Sequence, residues 1–315
     1  MTADTDLYTI HRFPGHENQR GFRDDWEMIA LPGALKQTLL AYVDTLHRLS
    51  PVPPQALGLR RALLLFGPPG CGKTSLARGL PLAWQSADPR RRAGLIHVNT
   101  HALFSGLRGE GQQLVLRLFH DIAEQATANL PLFVLIDEVE TLGSDRASIN
   151  LENNPLDALY QVTAFLESLD QCARDSPNVT FIFTTNIPRA IDRAVRERVD
   201  FSLEVPLPGP EERHIIMRSA LLSLGGVFDV RDVMSMANAY DETWRQLIDS
   251  SDAMSGRELR HVFVMAATLA HGSLELTAKH IGSAVATVKA VDAGLAASGG
   301  IFIEKYQGRR HDNEG

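Results

Sequence analysis

Residues Gly67-Pro68-Pro69-Gly70-Cys71-Gly72-Lys73-Thr74 carry two glycines separated by four residues, then a lysine and a hydroxyl. This is the spacing of a phosphate-binding loop. Glycines let successive backbone N–H groups close around phosphate oxygens. A helix opening at the lysine adds the positive potential of its first turn. In such a loop Lys73 reaches the β- and γ-phosphates of ATP, Thr74 binds Mg²⁺ through its hydroxyl, and Ser75 carries the chain into the helix. An apolar run, Ala62 to Phe66, precedes the loop and a helical segment, Ser75 to Leu80, follows it, which is the context the chemistry needs.

Four further strings complete a hydrolytic site. Phe133-Val134-Leu135-Ile136 ends in Asp137-Glu138. An apolar strand ending in two acids delivers both carboxylates to the sheet edge where α/β folds bind ligands. Asp137 is expected to hold Mg²⁺ through water, and Glu138 to act as general base on the attacking water. Glu140 follows, and a direct role and a salt-bridge role are equally open to it. Phe181-Ile182-Phe183-Thr184-Thr185-Asn186 is a second strand with a polar end. There Asn186 is expected to orient water near the γ-phosphate. Ile191 to Asp200 holds Arg193, Arg196 and Arg198 just before the last apolar run. An arginine placed so can enter a neighbouring subunit's site, an effect worth about 10³–10⁵ in rate. Arg198 is the first choice for this and Arg196 the second. In Ser255-Gly256-Arg257-Glu258-Leu259-Arg260, Ser255 suits an N-cap. A cation at Arg257 opposes the helix dipole, so a ligand phosphate would explain it. Arg260, one turn on, is expected to be a structural ion-pair residue.

The elements that position these residues alternate. Short apolar runs at 62–66, 95–98, 132–136, 179–183 and 201–205 are separated by amphipathic stretches such as 114–125 and 156–169. All-apolar strands between such helices predict a parallel sheet covered on both faces. Before it, residues 1 to about 25 have no clear period and suggest an extended arm. From Trp26 to Leu49 apolar residues recur at helical spacing, until Ser50-Pro51-Val52-Pro53-Pro54 stops the helix. After Pro206-Leu207-Pro208-Gly209-Pro210 only helical patterns remain, at 211–224, 230–239, 241–249, 255–270 and 277–291. The organisation expected is an arm and helix over 1–55, a large α/β domain over 56–207, a helical domain over 208–303 and a mobile tail over 304–315.

Composition narrows the function. The chain has 315 residues, 44% of them apolar and 22% charged, with a net charge of −7. An acidic balance argues against a general nucleic-acid binder, which usually carries a basic face. The two cysteines, Cys71 and Cys172, lack metal-ligand spacing and imply no disulfide framework. The acidic amino terminus has no apolar core of a secretory signal. No apolar run approaches the roughly 18 residues that span a membrane. A cytoplasmic protein is expected.

With these strings in this order, the chain resembles the AAA+ ATPases from about Trp26 to about Val291. The likeness is to the pachytene-checkpoint-type, or thyroid-receptor-interactor-like, remodellers. Gly67 to Ser75, His101-Ala102-Leu103-Phe104-Ser105, Val134 to Glu140, Val195 to Asp200 and Ser255-Gly256-Arg257 carry it. The resemblance implies a parallel sheet flanked by helices, with a C-terminal helical lid from which Arg257 reaches the γ-phosphate. It implies a homohexamer that grips HORMA-domain proteins and partly unfolds them. Gly106, Leu107 and Arg108 fall where the family has its substrate-gripping pore loop, with Leu107 in place of an aromatic residue. Residues 146–157 match the second pore loop in position only. About 50 residues precede the first core strand, fewer than in eukaryotic relatives. This short form is similar to bacterial members that accompany HORMA proteins and cyclic-oligonucleotide synthases in anti-phage signalling, which implies a negative regulator. An AAA+ switch acting on DNA or replication complexes, or on a non-HORMA protein, is the alternative. Basic pore loops or a DNA-binding appendage would mark it.

Overall fold

The computed structural model of the chain describes residues 7–13, 20–104, 111–126, 130–142 and 155–291, and of 155–159 the backbone. Two compact units form, Met1–Pro206 and Leu207–Gly315.

The first unit is a six-stranded sheet in the order β1-β3-β4-β5-β2-β6. Its strands are β1 (Tyr8–Arg12), β2 (Ala62–Phe66), β3 (Gly94–Val98), β4 (Leu132–Ile136), β5 (Val179–Thr185) and β6 (Phe201–Glu204). From β3 to β6 all neighbours are parallel. Residues 8–12, which the sequence suggests are part of an arm, instead pair antiparallel with β3 at the sheet edge.

Helices cover both faces because the central strands are mostly apolar and buried at almost every position. They are α1 (Arg20–Glu27), α2 (Leu35–Arg48), α3 (Pro54–Leu57), α4 (Lys73–Ser86), α5 (Thr100–Phe104), α6 (Gly111–Gln125), α7 (Pro155–Asp175) and α8 (Arg193–Arg196). Side chains alternate across a strand. Leu64, Ile96, Val134, Ile136, Phe181 and Phe183 therefore pack together with Val115, Leu118 and Ile122 of α6 and Phe165 and Leu169 of α7. Phe133 points to the other face, against His47 of α2 and Trp84 of α4. On α2, Leu39, Val43 and Leu46 form the buried stripe. The helical pattern of 26–49 breaks between α1 and α2. Cys172 is buried on α7, and burial raises its thiol pKa to about 12.

One buried group in this layer makes stability pH-dependent. The His47 ring lies 4.5 Å from Trp84 and 5.6 Å from Phe133. Burial, helped by Arg61 and Arg91, lowers its pKa from 6.5 to about 4. The folded imidazole stays neutral where the unfolded one takes a proton. Its contribution is therefore complete above pH 6.5 and lost as the pH falls from 6.5 toward 4. The expected loss is on the order of 2–3 kcal/mol. Urea unfolding of wild type and His47→Gln at pH 7 and pH 5 measures it. The variant is expected to lose that part of the pH dependence, and equal pH dependence in both proteins would refute the assignment.

The second unit holds α9 (Pro210–Leu224), α10 (Arg231–Ala239), α11 (Glu242–Ser250), α12 (Gly256–Leu269) and a last helix, α13, over 278–291. The strand signal that fades after 206 leaves only the isolated bridge Asp229–Glu275 here, among the described residues. Trp244, fully buried, anchors α11 and donates its indole N–H to His214 Nδ1 at 2.9 Å. Arg213, 4% exposed, ties the Pro208 carbonyl to the carbonyl of Ile248 at the end of α11.

Candidate functional site

Strand register brings the chemical strings to one sheet edge. On β5, Thr185 stands beside Phe66 of β2, and Phe183 stands beside Ile136 of β4. The residues that leave these strands, Gly67, Asp137 and Asn186, therefore emerge side by side. β5 lies between the phosphate loop's strand and that of Asp137, so Asn186 issues between them.

The loop itself needs glycine at two points. Gly67 has φ 148°, and a Cβ there would lie 2.2 Å from the Val205 carbonyl oxygen. Gly72 has φ 91° and caps α4, and a Cβ there would lie 2.3 Å from Ile29 Cδ1. Ile29 is buried and follows α1, which lies along α4. Asp25 sits 3.4 Å from Arg78, and Trp26 packs directly on Gly79. Sequence reasoning missed this second layer, because nothing local in 20–29 marks its partner. Lys73 is 6% exposed, and its Nζ donates to the carbonyls of Gly67 (2.9 Å) and Pro68 (2.7 Å). Cys71 is buried.

Thr74 and Asp137 meet. The Thr74 hydroxyl donates to Asp137 Oδ1 at 2.9 Å and to Oδ2 at 3.0 Å. The Thr184 hydroxyl also donates to Asp137. A hydroxyl beside a carboxylate is an all-oxygen donor set, the kind that suits a hard cation such as Mg²⁺. Glu138 differs in every respect. It is exposed, its φ is 54°, and its carboxylate makes no hydrogen bond among the described residues. A left-handed non-glycine residue costs about 1–3 kcal/mol and marks functional turns. Its N–H donates to Thr184 Oγ1 at 3.2 Å, and the next N–H, of Val139, donates to the Thr184 carbonyl at 2.9 Å. Glu140 turns back under the turn, where its Oε1 accepts the N–H of Asn186 at 3.1 Å. This contact is an internal structural one, different from both the direct role and the salt-bridge role that the sequence leaves open to Glu140. Beside the acids a cavity of about 460 Å³ is lined by Tyr8, His97, Asn99, His101, Asp137 and Glu138. Burial lowers the pKa of His97, against the pull of Asp137.

This edge is matched by the family model of the ATPase family associated with various cellular activities (AAA) over residues 63–207. CD-NTase-associated protein 6 of Pseudomonas aeruginosa is 36% identical, over 84% of this chain and 88% of its own length. The chain belongs to the AAA ATPase family. Its place there is with pachytene checkpoint protein 2 and its relatives. The solved C. elegans PCH-2 structure has a TM-score of 0.73 at 26% identity, covering 94% of this chain and 78% of that one. A chain of the E. coli MS115-1 HORMA:CdnC:Trip13 complex has the same fold, with a TM-score of 0.66 at 19% identity over 89% of this chain and 95% of that one. The chain spans 60% and 59% of the length of the pachytene checkpoint proteins of C. elegans and Arabidopsis thaliana.

The arginines of this ATPase are placed unequally. Arg198 is largely enclosed. Its Nε and Nη2 donate to Asp170 on α7 at 3.2 and 3.0 Å, and its Nη1 donates to the Ala194 carbonyl at 3.0 Å. Arg60 Nε shares Asp170, at 2.9 Å. Arg196 is exposed and makes no ion pair among the described residues. In the second unit Ser255 caps α12 in a capping box with Glu258, and Arg257 stands exposed in the first turn. Arg260 donates to the Gly256 carbonyl at 3.0 Å. Gly106, Leu107 and Arg108 lie outside the described residues, as does most of 146–157. No helix among the described residues is long and apolar enough to cross a membrane.

Proposed function

We propose that this AAA ATPase, as a homohexamer, uses ATP hydrolysis to unfold part of a HORMA-domain protein and so take apart its complexes. Its setting is the cytoplasm, where it acts as a negative regulator of anti-phage signalling by cyclic oligonucleotides. The observation that carries this reading is the likeness to CD-NTase-associated protein 6 along nearly the full length of both chains. The fold shared with a member of a HORMA:CdnC:Trip13 complex agrees with it.

In this reading the backbone N–H groups of residues 67–72, with Lys73 and Ser75, hold the ATP phosphates. Thr74 and Asp137 hold Mg²⁺, which supplies charge neutralisation on the phosphoryl oxygens. Water attacks the γ-phosphorus as the bond to the bridging oxygen breaks. Glu138 takes the water's proton, and ADP leaves with the bond's electron pair. Asn186 orients the water, and its backbone is held by Glu140. Arg198 serves the neighbouring subunit's site. Its donors are engaged by Asp170 and Ala194, so contact with a phosphate requires an exchange of partners. Arg257 contacts the γ-phosphate from the helical unit. Gly106, Leu107 and Arg108 grip the substrate chain.

A pull-down with Glu138→Gln tests the reading, since that variant retains ATP and holds its substrate. Recovery of a HORMA-domain protein, with or without a nucleotidyltransferase, is the expected result. Recovery of DNA, or of a protein without a HORMA domain, would overturn it.

A further inference from the structure

Thr184 is 1% exposed, near the end of β5, and the mechanism above gives it no part. Its hydroxyl nevertheless touches both acids of the site. It donates to the Asp137 carboxylate and accepts the Glu138 N–H at 3.2 Å. A hydroxyl has one proton and two lone pairs, so this use is directional. The proton is committed to Asp137, and a lone pair is committed to the backbone of Glu138. The Thr184 carbonyl takes the following N–H, of Val139, at 2.9 Å. One residue thus binds three successive positions of the turn that carries both carboxylates. That turn contains the left-handed Glu138, at φ 54°. Residues in this region persist where their surroundings over-determine them, and the contacts of Thr184 do so here. The neighbouring Thr185 is built differently, since its hydroxyl accepts the N–H of Ile187 at 3.0 Å and serves its own strand end.

We propose that Thr184 is a positioning residue of the ATPase site, setting the direction of the Asp137 carboxylate and holding Glu138 in its left-handed turn. The proposal deepens the reading of Glu138 as general base and rests on it. Valine matches threonine in shape and in preference for a strand. Thr184→Val therefore removes the hydroxyl and little else. Asp137 keeps the Thr74 hydroxyl, while the Glu138 N–H loses its acceptor. The Glu138 carboxylate is then free to leave the line of the attacking water. Misplacement of a catalytic group by about 1 Å costs roughly 10²-fold.

The test measures steady-state ATP turnover, binding of a fluorescent ADP without Mg²⁺, and melting temperature, for wild type, Thr184→Val, Thr184→Ala, Thr184→Ser and Glu138→Gln. Thr184→Val is expected to lower kcat by about 10- to 100-fold with KM within about threefold. Its affinity for Mg²⁺-free ADP is expected to stay within the same threefold. Thr184→Ser restores the hydroxyl and is expected to recover most of the lost rate. If the valine variant does not fold, the alanine and serine variants decide the matter, with alanine slow and serine near wild type. Wild-type kcat in the valine or alanine variant would overturn the proposal, as would serine as slow as alanine. Loss of ADP affinity in parallel with kcat would overturn it too, since that marks a general collapse of the site. If Glu138→Gln also turns over normally, the reading of Glu138 as base fails. If only the Thr184 variants do, the proposal fails alone.

Discussion

Glu138→Gln is expected to lower ATP turnover by about 10²–10⁴-fold while ATP remains bound. The two adjacent acids are chemically alike, and their surroundings divide the work between them. Asp137 accepts the hydroxyl protons of Thr74 and Thr184. Its lone pairs are oriented and partly used, which suits a group that helps to hold a cation. Glu138 leaves the strand in a left-handed turn, and its carboxylate accepts nothing among the described residues. An exposed carboxylate with free lone pairs can take a proton from water. Glutamine keeps the size and the turn but has no basic oxygen. The effect therefore falls on kcat and leaves nucleotide affinity within a few-fold. Phosphate release at saturating ATP gives the first quantity and equilibrium titration the second. A loss smaller than tenfold would move the base elsewhere. A parallel loss of affinity would mean that Glu138 helps to hold the nucleotide.

The parts of this site that the sequence reveals are those built from neighbours in the chain. Gly67, Gly72, Lys73 and Thr74 lie within eight residues, and their spacing alone encodes a loop of N–H donors before a helix. Asp137 and Glu138 are legible because an all-apolar strand must end at a sheet edge. The five helices of the second unit are legible from period alone. What stays hidden is whatever depends on pairs distant in sequence. Thr184 lies 47 residues from Asp137, and Glu140 lies 46 from Asn186. Neither separation leaves a local trace. β1 escapes for another reason. Tyr8 to Arg12 is short, and three of its five residues, Thr9, Ile10 and Arg12, are exposed at the edge, so it lacks the apolar run that marks the buried strands. Arg198 shows the limit of a positional argument. Its place before β6 is plain in the sequence, but Asp170, 28 residues earlier on α7, encloses it.

Arg61→Ala is expected to destabilise the first unit by about 3–5 kcal/mol. A charged side chain at 1% exposure is rare, and the Arg61 guanidinium donates to no carboxylate among the described residues. Its guanidinium instead closes the end of α2, where Nη1 donates to the Leu46 carbonyl at 2.9 Å and Nη2 to the Leu49 carbonyl at 3.3 Å. The Leu49 carbonyl also accepts the Val52 N–H at 3.0 Å, so the Leu46 carbonyl depends more on the guanidinium, and a cation there also meets the negative end of the helix dipole. Burial lowers the arginine's pKa, against the opposing pull of Asp200 and Tyr42, but a guanidinium remains charged at any ordinary pH. Its backbone works as well, because φ is 56° and its carbonyl accepts the N–H of Phe181 at the start of the β2–β5 ladder. Alanine would take the donor from the buried Leu46 carbonyl, remove one of two donors at Leu49, and leave a cavity behind them. For a unit of this size the loss corresponds to a fall of roughly 6–20 °C in melting temperature. Lysine keeps the charge but is a point donor in place of a fork, so Arg61→Lys is expected to fall between wild type and alanine. Thermal melts of the three proteins test the assignment. Alanine within 1 kcal/mol of wild type would show that water can replace the guanidinium at those carbonyls. Lysine no better than alanine would place the stabilisation in the bidentate geometry and leave the charge with no part in it.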